Sequence, residues 1–315
     1  MLDVRVTVPH ALADDVRSRL MADPTVSDLV AVPGGAADGA SDVLLFEVPR
    51  ENADAIVAML TGAGVPSVGS IVLSDVITVV SDAADVAEAK APGHPADGVL
   101  WAQLANSSQE DARWSSGFFI FLLLATLIAG VGRLLDQPIL IIGAMVVGPE
   151  FAAIAALCYG IVRGRARIAG GAAVTLLGGF AVCIVIAWGV WAVAYAAGWI
   201  TFAQATTGPQ TDFIISPNIW SFVIAVLAGI AGVLSLTSPK SAALVGVFIS
   251  ITTVPAVGTI GLTAAVGAWS EAGSALLQLA VNVAGLVLAG VVTLFVQLHV
   301  TPAIRRRFED LRRRA

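Results

Sequence analysis

The first 75 residues are patterned like a small folded domain, and most of the chain beyond residue 115 is continuously apolar. "LDVRVTV" (2–8) alternates apolar and polar positions as a strand does. "ALADDVRSRLM" (11–21) changes to helical spacing, with Leu12, Val16 and Leu20 on one face. "TVSDLVAV" (25–32) and "VLLFEV" (43–48) read as strands on either side of a turn-rich "PGGAADGASD" (33–42). "ENADAIVAMLTGAG" (51–64) predicts a helix stopped by Gly62 and Gly64, and "VPSVGSIVLS" (65–74) predicts a closing strand. The order is βαββαβ, the split βαβ arrangement of an α+β ferredoxin-like domain, here 1–75. That order is shared by ligand sensors and by interaction domains, so it names no function. The Gly-rich loop could cradle an anion through its backbone, but it holds no Lys or Arg and reads better as an exposed hairpin loop.

Residues 76–115 are expected to be a linker followed by a juxtamembrane amphipathic helix. "SDAADVAEAKAPGHPADG" is rich in Ala, Pro, Gly and Asp, and His94 within it reads as solvated. "VLWAQLANSSQEDARW" (99–114) places Leu100, Trp101 and Leu104 on one side.

Six apolar stretches come next, at about 116–135, 138–162, 168–199, 218–236, 241–268 and 271–300, each long enough to span a bilayer. The expected architecture is therefore mainly α: a six-helix transmembrane domain over 116–300 and a basic tail over 301–315. Composition agrees. The chain of 315 residues is 57% hydrophobic and 13% charged, with mean hydropathy +0.88, against about 25% charged in a soluble domain.

Charge gives the expected orientation. Residues 1–100 carry fifteen acids against five bases, and residues 101–315 carry eight acids against twelve bases. Arg113, Arg163, Arg165, Arg167, Lys240 and the six arginines after 304 fall on one side of the six stretches. The other side has Arg133 with Asp136, Asp212 and Glu271. By the positive-inside rule both termini are cytoplasmic in a bacterial-type plasma membrane. Trp199, Trp220 and Trp269 fall at outer boundaries and Trp114 at an inner one. "MLDVRVTVPHALADD" lacks the basic and apolar regions of a signal peptide. Cys158 and Cys183 sit in apolar runs and read as small buried hydrophobes. His299 reads as interfacial.

Three crossings in each half turn the second half upside down relative to the first, as in inverted repeats. The middle stretch of each half is broken by proline. The second stretch holds Gly143, Gly148, Pro149 and Glu150, and the fifth holds Ser250, Thr252, Thr253 and Pro255. At about 1.5 Å per residue, both prolines lie roughly 16–21 Å from the start of their stretch, near the middle of a hydrocarbon core about 30 Å thick. Asn282 has a similar depth in the sixth stretch, and Gln278 lies one turn away on the same face.

Each proline frees a carbonyl one turn earlier, of Met145 and of Ile251. Such backbone persists only where it faces protein or a wet cavity. Two readings are open: simple kinks, or a polar site at the midplane. Glu150 favours the second, because a central carboxylate costs about 2.5–3.5 kcal/mol on insertion scales and no Lys or Arg lies at its depth. It is then protonated, hydrated, or partnered by groups such as Asn282 or by a cation. The candidate midplane site is Gly143, Gly148, Pro149, Glu150, Ser250, Thr252, Thr253, Pro255, Gln278 and Asn282.

"FLLLATLIAGVGRLLDQPILIIGAMVVGPEFAAIAALCYGIVRGR" (121–165) and "GVFISITTVPAVGTIG" (246–261) resemble the two recurrent blocks of the membrane family called domain of unknown function 389. The shared features are Asp-x-Pro at 136–138, Gly-Ala-Met followed by proline, and a Gly-initiated span carrying Ser/Thr and then proline. The resemblance covers most of 110–300. It implies the membrane fold and a variable cytoplasmic N-terminal part. This chain departs from it in Pro149-Glu150, where many members have Pro-Leu, and in Val254-Pro255, where many have Pro-Pro.

Two functions fit. One is a transporter or channel for a small solute or ion, with its site between stretches 2, 5 and 6 and a regulatory head. The other is a sensor or scaffold whose head binds a ligand or partner while the membrane part anchors it. Small residues such as Gly178, Gly179, Gly285 and Gly290 allow close helix packing, so a homo-oligomer is expected under either. No His-Glu-x-x-His, paired membrane aspartates or Ser/His dyad is present, so no enzyme, catalytic residue, cofactor or metal centre is expected. An acidic head argues against nucleic acid. The expected partners are the lipid bilayer and an unidentified small solute or ion.

Overall fold

The computed structural model describes residues 1–37, 39–91, 101–237 and 252–300. The chain divides into two compact units, with the break between Gln103 and Leu104.

In the first unit β1 (Leu2–Pro9), β2 (Ser27–Val32), β3 (Ser41–Val48) and β4 (Ser70–Asp75) form one antiparallel sheet in the order β2-β3-β1-β4. Register explains the core. Leu2, Val4 and Val6 of β1 stand opposite Val48, Phe46 and Leu44 of β3, and all six are buried. The two-residue side-chain period sends Asp3 and Arg5 to the other face, where both are exposed. Helices α1 (His10–Ala22) and α2 (Arg50–Gly62) cover the apolar face with Val16, Leu20, Ile56 and Leu60. A four-residue turn of helix, α3 (Val65–Val68), leads into β4.

The Gly-rich loop makes no anion cradle at Gly34, whose N–H donates to Asp42 Oδ1 at 2.8 Å. Asp42 also meets His10 Nδ1 at 2.6 Å. The Gly34 N–H first, and His10 second, hold the Asp42 carboxyl below the usual range. Part of the expected linker is instead ordered as α4 (Asp82–Lys90), capped by Ser81 and packed on β2 and β3 through buried Ala84 and Ala87. The reason is local. A Ser N-cap and two aspartates in the first turn satisfy and complement the helix start. His94 and Leu100 lie outside the described residues.

The second unit is helical. Helix α5 (Trp101–Asp111) runs into it where the juxtamembrane helix was predicted, and Thr175 Oγ1 donates to the Ala112 carbonyl just beyond it. Four helices are long and apolar enough to cross a membrane: α6 (Ser116–Leu134), α9 (Ala166–Ala196), α11 (Ile219–Thr237), and α13 (Trp269–Phe295), which runs on in a wider turn to His299. Helices α7 (Pro138–Val147) and α8 (Glu150–Val162) pass the same test together, with a 51° bend between them. A short helix, α10 (Phe202–Thr206), lies between α9 and α11.

The described residues thus hold four spans, or five if the bent pair is one span, where six were expected. The fifth expected stretch, 241–268, is described only from residue 252, and there it forms α12 (Thr253–Ala265). At thirteen residues, α12 covers about 20 Å, too short for a core of about 30 Å.

Helix α12 lies at the centre of this unit. Residues 253–263 are all buried, among α6, α7, α9 and α13. Two glycines make that possible. A Cβ on Gly258 would stand 2.5 Å from the Thr126 carbonyl oxygen of α6, and one on Gly261 would stand 2.8 Å from Ala187 Cβ of α9. Outward faces carry apolar side chains, including Val174, Leu177, Val185 and Val193 of α9 and Ile120, Phe121 and Leu124 of α6. That pattern suits contact with lipid. Trp199, Trp220 and Trp269 stand exposed at helix ends. Cys158 and Cys183 are free and buried, as expected.

The glycines that suggested an oligomer are used inside the chain. Gly285 faces Ala225, Gly290 faces Cys158, and Gly179 faces Leu122 and Phe118.

Candidate functional site

The two proline-marked breaks meet. Helix α7 ends at Gly148, Pro149 precedes the first turn of α8, and Glu150 opens that turn. Helix α12 opens at Thr253. Thr253 Oγ1 donates to Glu150 Oε1 at 2.7 Å, and both side chains are buried. Pro255 is the third residue of α12 and fully buried. In a first turn its missing N–H costs little, so it serves a helix start there.

A second polar group adjoins the first through consecutive threonines. Asn282 Nδ2 donates to Thr252 Oγ1 at 2.6 Å, and Gln278 Nε2 donates to the same oxygen at 3.3 Å. Asn282 and Gln278 are buried near the middle of α13, on one face, as their spacing of four predicted. Thr252 holds the N-cap position of α12 yet makes no side-chain cap there. Pro149 likewise leaves α8 without one. Two helices therefore begin in this site without a side-chain cap from their N-cap residues, and each N-terminus brings about half a positive charge.

Among the described residues, two buried acceptors in this group have no partner, Glu150 Oε2 and Gln278 Oε1. Gly148 makes room for the first. A Cβ at that position would collide with Glu150 Oε2 and lie 2.9 Å from Val254 Cγ2.

The structure thus brings together Gly148, Pro149, Glu150, Thr252, Thr253, Pro255, Gln278 and Asn282. Gly143 is not among them. It is exposed, with open space where a side chain would stand. Ser250 lies outside the described residues.

Two cavities flank this group. One, of about 310 Å³, is lined by Gly148, Glu150 and Thr253 together with Asp111, Leu236 and Leu286. The other, of about 530 Å³, is lined by Thr252, Gln278 and Asn282 together with Pro138, Asn218 and Trp220. Met145 lines both. The first reaches the C-terminal ends of α7 and α11, and the second reaches their N-terminal ends. From Trp220 to Leu236 along α11 is about 24 Å at 1.5 Å per residue. The cavities therefore approach the same polar group from opposite ends of the same helices.

Sequence reasoning missed two features. Asp111 in the wall of the smaller cavity is the first. The second is Arg133, which looked like an isolated charge. Its side chain is fully buried, with Nη1 donating to Asp212 Oδ1 and Thr211 Oγ1 (both 2.9 Å) and to the Gly208 carbonyl (3.2 Å), while Nη2 donates to the Thr206 carbonyl (3.1 Å). Asp136 accepts from the N–H groups of Gln210 and Thr211 and from the Thr211 hydroxyl. Together they fasten residues 206–212 to the end of α6. Arg133, Asp136 and Asp212 falling on one predicted side was the only signal for this clamp.

The breaks and their partners fall within one stretch that a family model matches. Residues 145–288 fit the family model described as domain of unknown function, DUF389. The matched stretch contains the whole polar group, from Gly148 to Asn282. The chain is also 28% identical over 190 residues to the uncharacterized protein MJ0678 of Methanocaldococcus jannaschii. The alignment covers 60% of this chain and 57% of that protein, so the chain spans little more than half of the relative's length. No solved structure matches.

Proposed function

We propose that this is a multi-pass membrane protein that moves a small solute or ion through the DUF389 domain. Its site is the polar group between the bent α7–α8 pair, α12 and α13. The observation that carries the reading is the pair of cavities. They start at opposite ends of α7 and α11 and converge on Met145 and Thr252–Thr253. A purely structural carboxylate needs one sealed pocket, whereas a pathway needs access from two sides. Helices broken at mid-membrane, with their N-termini turned to a site, are the usual construction of solute sites in transporters with inverted repeats. The break before α8 and the start of α12 support such a repeat here, each in the middle stretch of a predicted three-stretch half.

In this reading the first unit is a ferredoxin-like regulatory head on the cytoplasmic side of a bacterial-type plasma membrane. Support for the head comes from its β2-β3-β1-β4 antiparallel order, and support for the side comes from the placement of Arg and Lys. Protein reconstituted in liposomes is expected to release or take up a small solute or ion, and Glu150→Gln is expected to reduce the flux at least tenfold.

The second reading, a membrane-anchored sensor, draws on the head being a compact unit with its own core. Tight ligand binding by the full-length protein, with no flux of any solute tested, would favour it.

A further inference from the structure

We infer that the smaller cavity is a binding site for a monovalent cation of the alkali or ammonium type, with Glu150 as its anionic ligand. This rests on the transport reading and names the class of cargo or coupling ion for the same site.

Three observations lead there. Glu150 is 7% exposed, and its Oε1 is taken by Thr253 while Oε2 has no partner among the described residues. Oε2 lies over Gly148, and both residues line the cavity. A buried carboxylate oxygen with nothing donating to it is an available ligand, since buried polar groups are otherwise paired. Next, the lining contains two carboxylates, Glu150 and Asp111, and among the described lining residues no Lys, Arg or His. Burial first, and the neighbouring Glu110 second, raise the Asp111 carboxyl above its ordinary value, so a cation nearby would relieve it.

Charge then selects the valence. Two carboxylates bring −2, and the N-termini of α8 and α12 bring about +0.5 each. The remainder, about −1, is balanced by one monovalent cation and overshot by a divalent one. Ligand type agrees. The available donors are carboxylate, hydroxyl and amide oxygens, which suit hard cations. Ca²⁺ takes six to eight oxygens, typically including several carboxylates. Among the described residues no three His, Cys, Asp or Glu side chains converge.

The arrangement also gives the two acids different tasks. Glu150, the more buried of the two, binds. Asp111, less buried and at the end of helix α5, raises the local cation concentration by its field.

The test is a concentration jump on proteoliposomes held on a solid-supported membrane. Na⁺, K⁺ or NH₄⁺ replaces choline at constant ionic strength and pH, and displaced charge is recorded. Wild type is expected to give a saturable charge displacement with at least one of these ions. Glu150→Gln is expected to lose at least nine-tenths of it while eluting as the wild type does on size exclusion. Asp111→Asn is expected to keep the amplitude and raise the half-saturating concentration about threefold, the scale of one screened charge. If Glu150→Gln does not fold, Glu150→Asp, which keeps the charge, must retain a weaker signal. The inference is overturned if no cation displaces charge in wild type while another solute is transported, a result that leaves the transport reading standing. It is equally overturned if pH jumps alone displace charge, which assigns Glu150 to a proton. Saturable cation binding without flux of any ion upholds the site and defeats transport.

Discussion

Replacing Arg133 by Met tests the clamp at the end of α6 most directly. The side chain is 0% exposed, and Met fills much of its volume without its donors. The change leaves the Thr206 and Gly208 carbonyls and the Thr211 hydroxyl without the guanidinium that donates to them. The Gly208 carbonyl keeps the Thr211 N–H and hydroxyl, and the Thr211 hydroxyl keeps Asp136, so the heaviest loss is at the Thr206 carbonyl, on the order of 1–3 kcal/mol. Asp212 is 49% exposed, so water recovers most of what the ion pair contributes, and that pair is discounted to about 1 kcal/mol or less. Arg133 Nε is itself unpaired, and its removal offsets part of the cost. The net loss is therefore about 2 kcal/mol. For a unit of this size that lowers Tm by roughly 4–8 °C. Arg133→Lys keeps the charge but not the fork, and about half the loss is expected. The assay is thermal unfolding of the detergent-solubilised protein with hydrogen exchange read over 206–212. A Tm within about 2 °C of wild type and unchanged exchange in that loop would refute the idea that Arg133 fastens it.

Further outcomes are expected elsewhere in the chain. Gly258→Val forces a side chain against the Thr126 carbonyl and should cost about 2–3 kcal/mol by overpacking, seen as a lower Tm. Gly273→Ala, at a position with open space, should be neutral in the same melt. Thr253→Val removes the hydroxyl that donates to Glu150 Oε1 and should lower proteoliposome flux about tenfold, with Thr253→Ser restoring most of it; equal loss in Val and Ser variants would exclude a role for the hydroxyl. Glu47 has its carboxyl raised above 4.5, by burial first and then by Asp28 and Asp3, the last standing directly across the sheet. Its folded form binds the proton more tightly, so head stability declines as pH rises from about 4.5 through the raised value and the penalty is full above it. Glu47→Gln should flatten that decline and stabilise the head at pH 7, and a stability–pH profile unchanged by the substitution would contradict this.

Much of the fold was legible because short-range physics decides it. Periods of two and of 3.6 residues marked β1 to β4 and the two covering helices, since side-chain direction follows backbone geometry alone. Apolar length marked four crossings and the bent pair. The cost of Glu150 in hydrocarbon, with the two prolines at matching depth, singled out Gly148–Glu150, Thr252, Thr253, Gln278 and Asn282 without knowledge of any contact. Gly143 was included through proximity in the chain, but helical rotation turns it outward, away from Gly148. The helix at 82–90 was missed because Ala, Asp and Lys carry no apolar stripe, and its stability comes from a cap and from the sheet beneath it. The glycines of α13 were legible as close-packing positions, but not as to whether the neighbour belonged to the same chain.

Sequence by itself determined that this chain has an α+β head and an apolar helical domain, and that a carboxylate and two prolines interrupt its apolar stretches. Hydropathy, periodicity and residue count are properties of one segment at a time, so they survive without knowledge of the fold. Which oxygen of Glu150 is paired, which threonine faces Glu150 and which faces Asn282, and the two cavities meeting at Met145 are properties of several segments at once. They depend on the crossing of α7, α8, α12 and α13, which is set by glycine contacts of about 3 Å or less that no pattern along the chain encodes. The same holds for Arg133. Its charge is read from the sequence, but whether it meets water or four protein acceptors is decided by where residues 206–212 return.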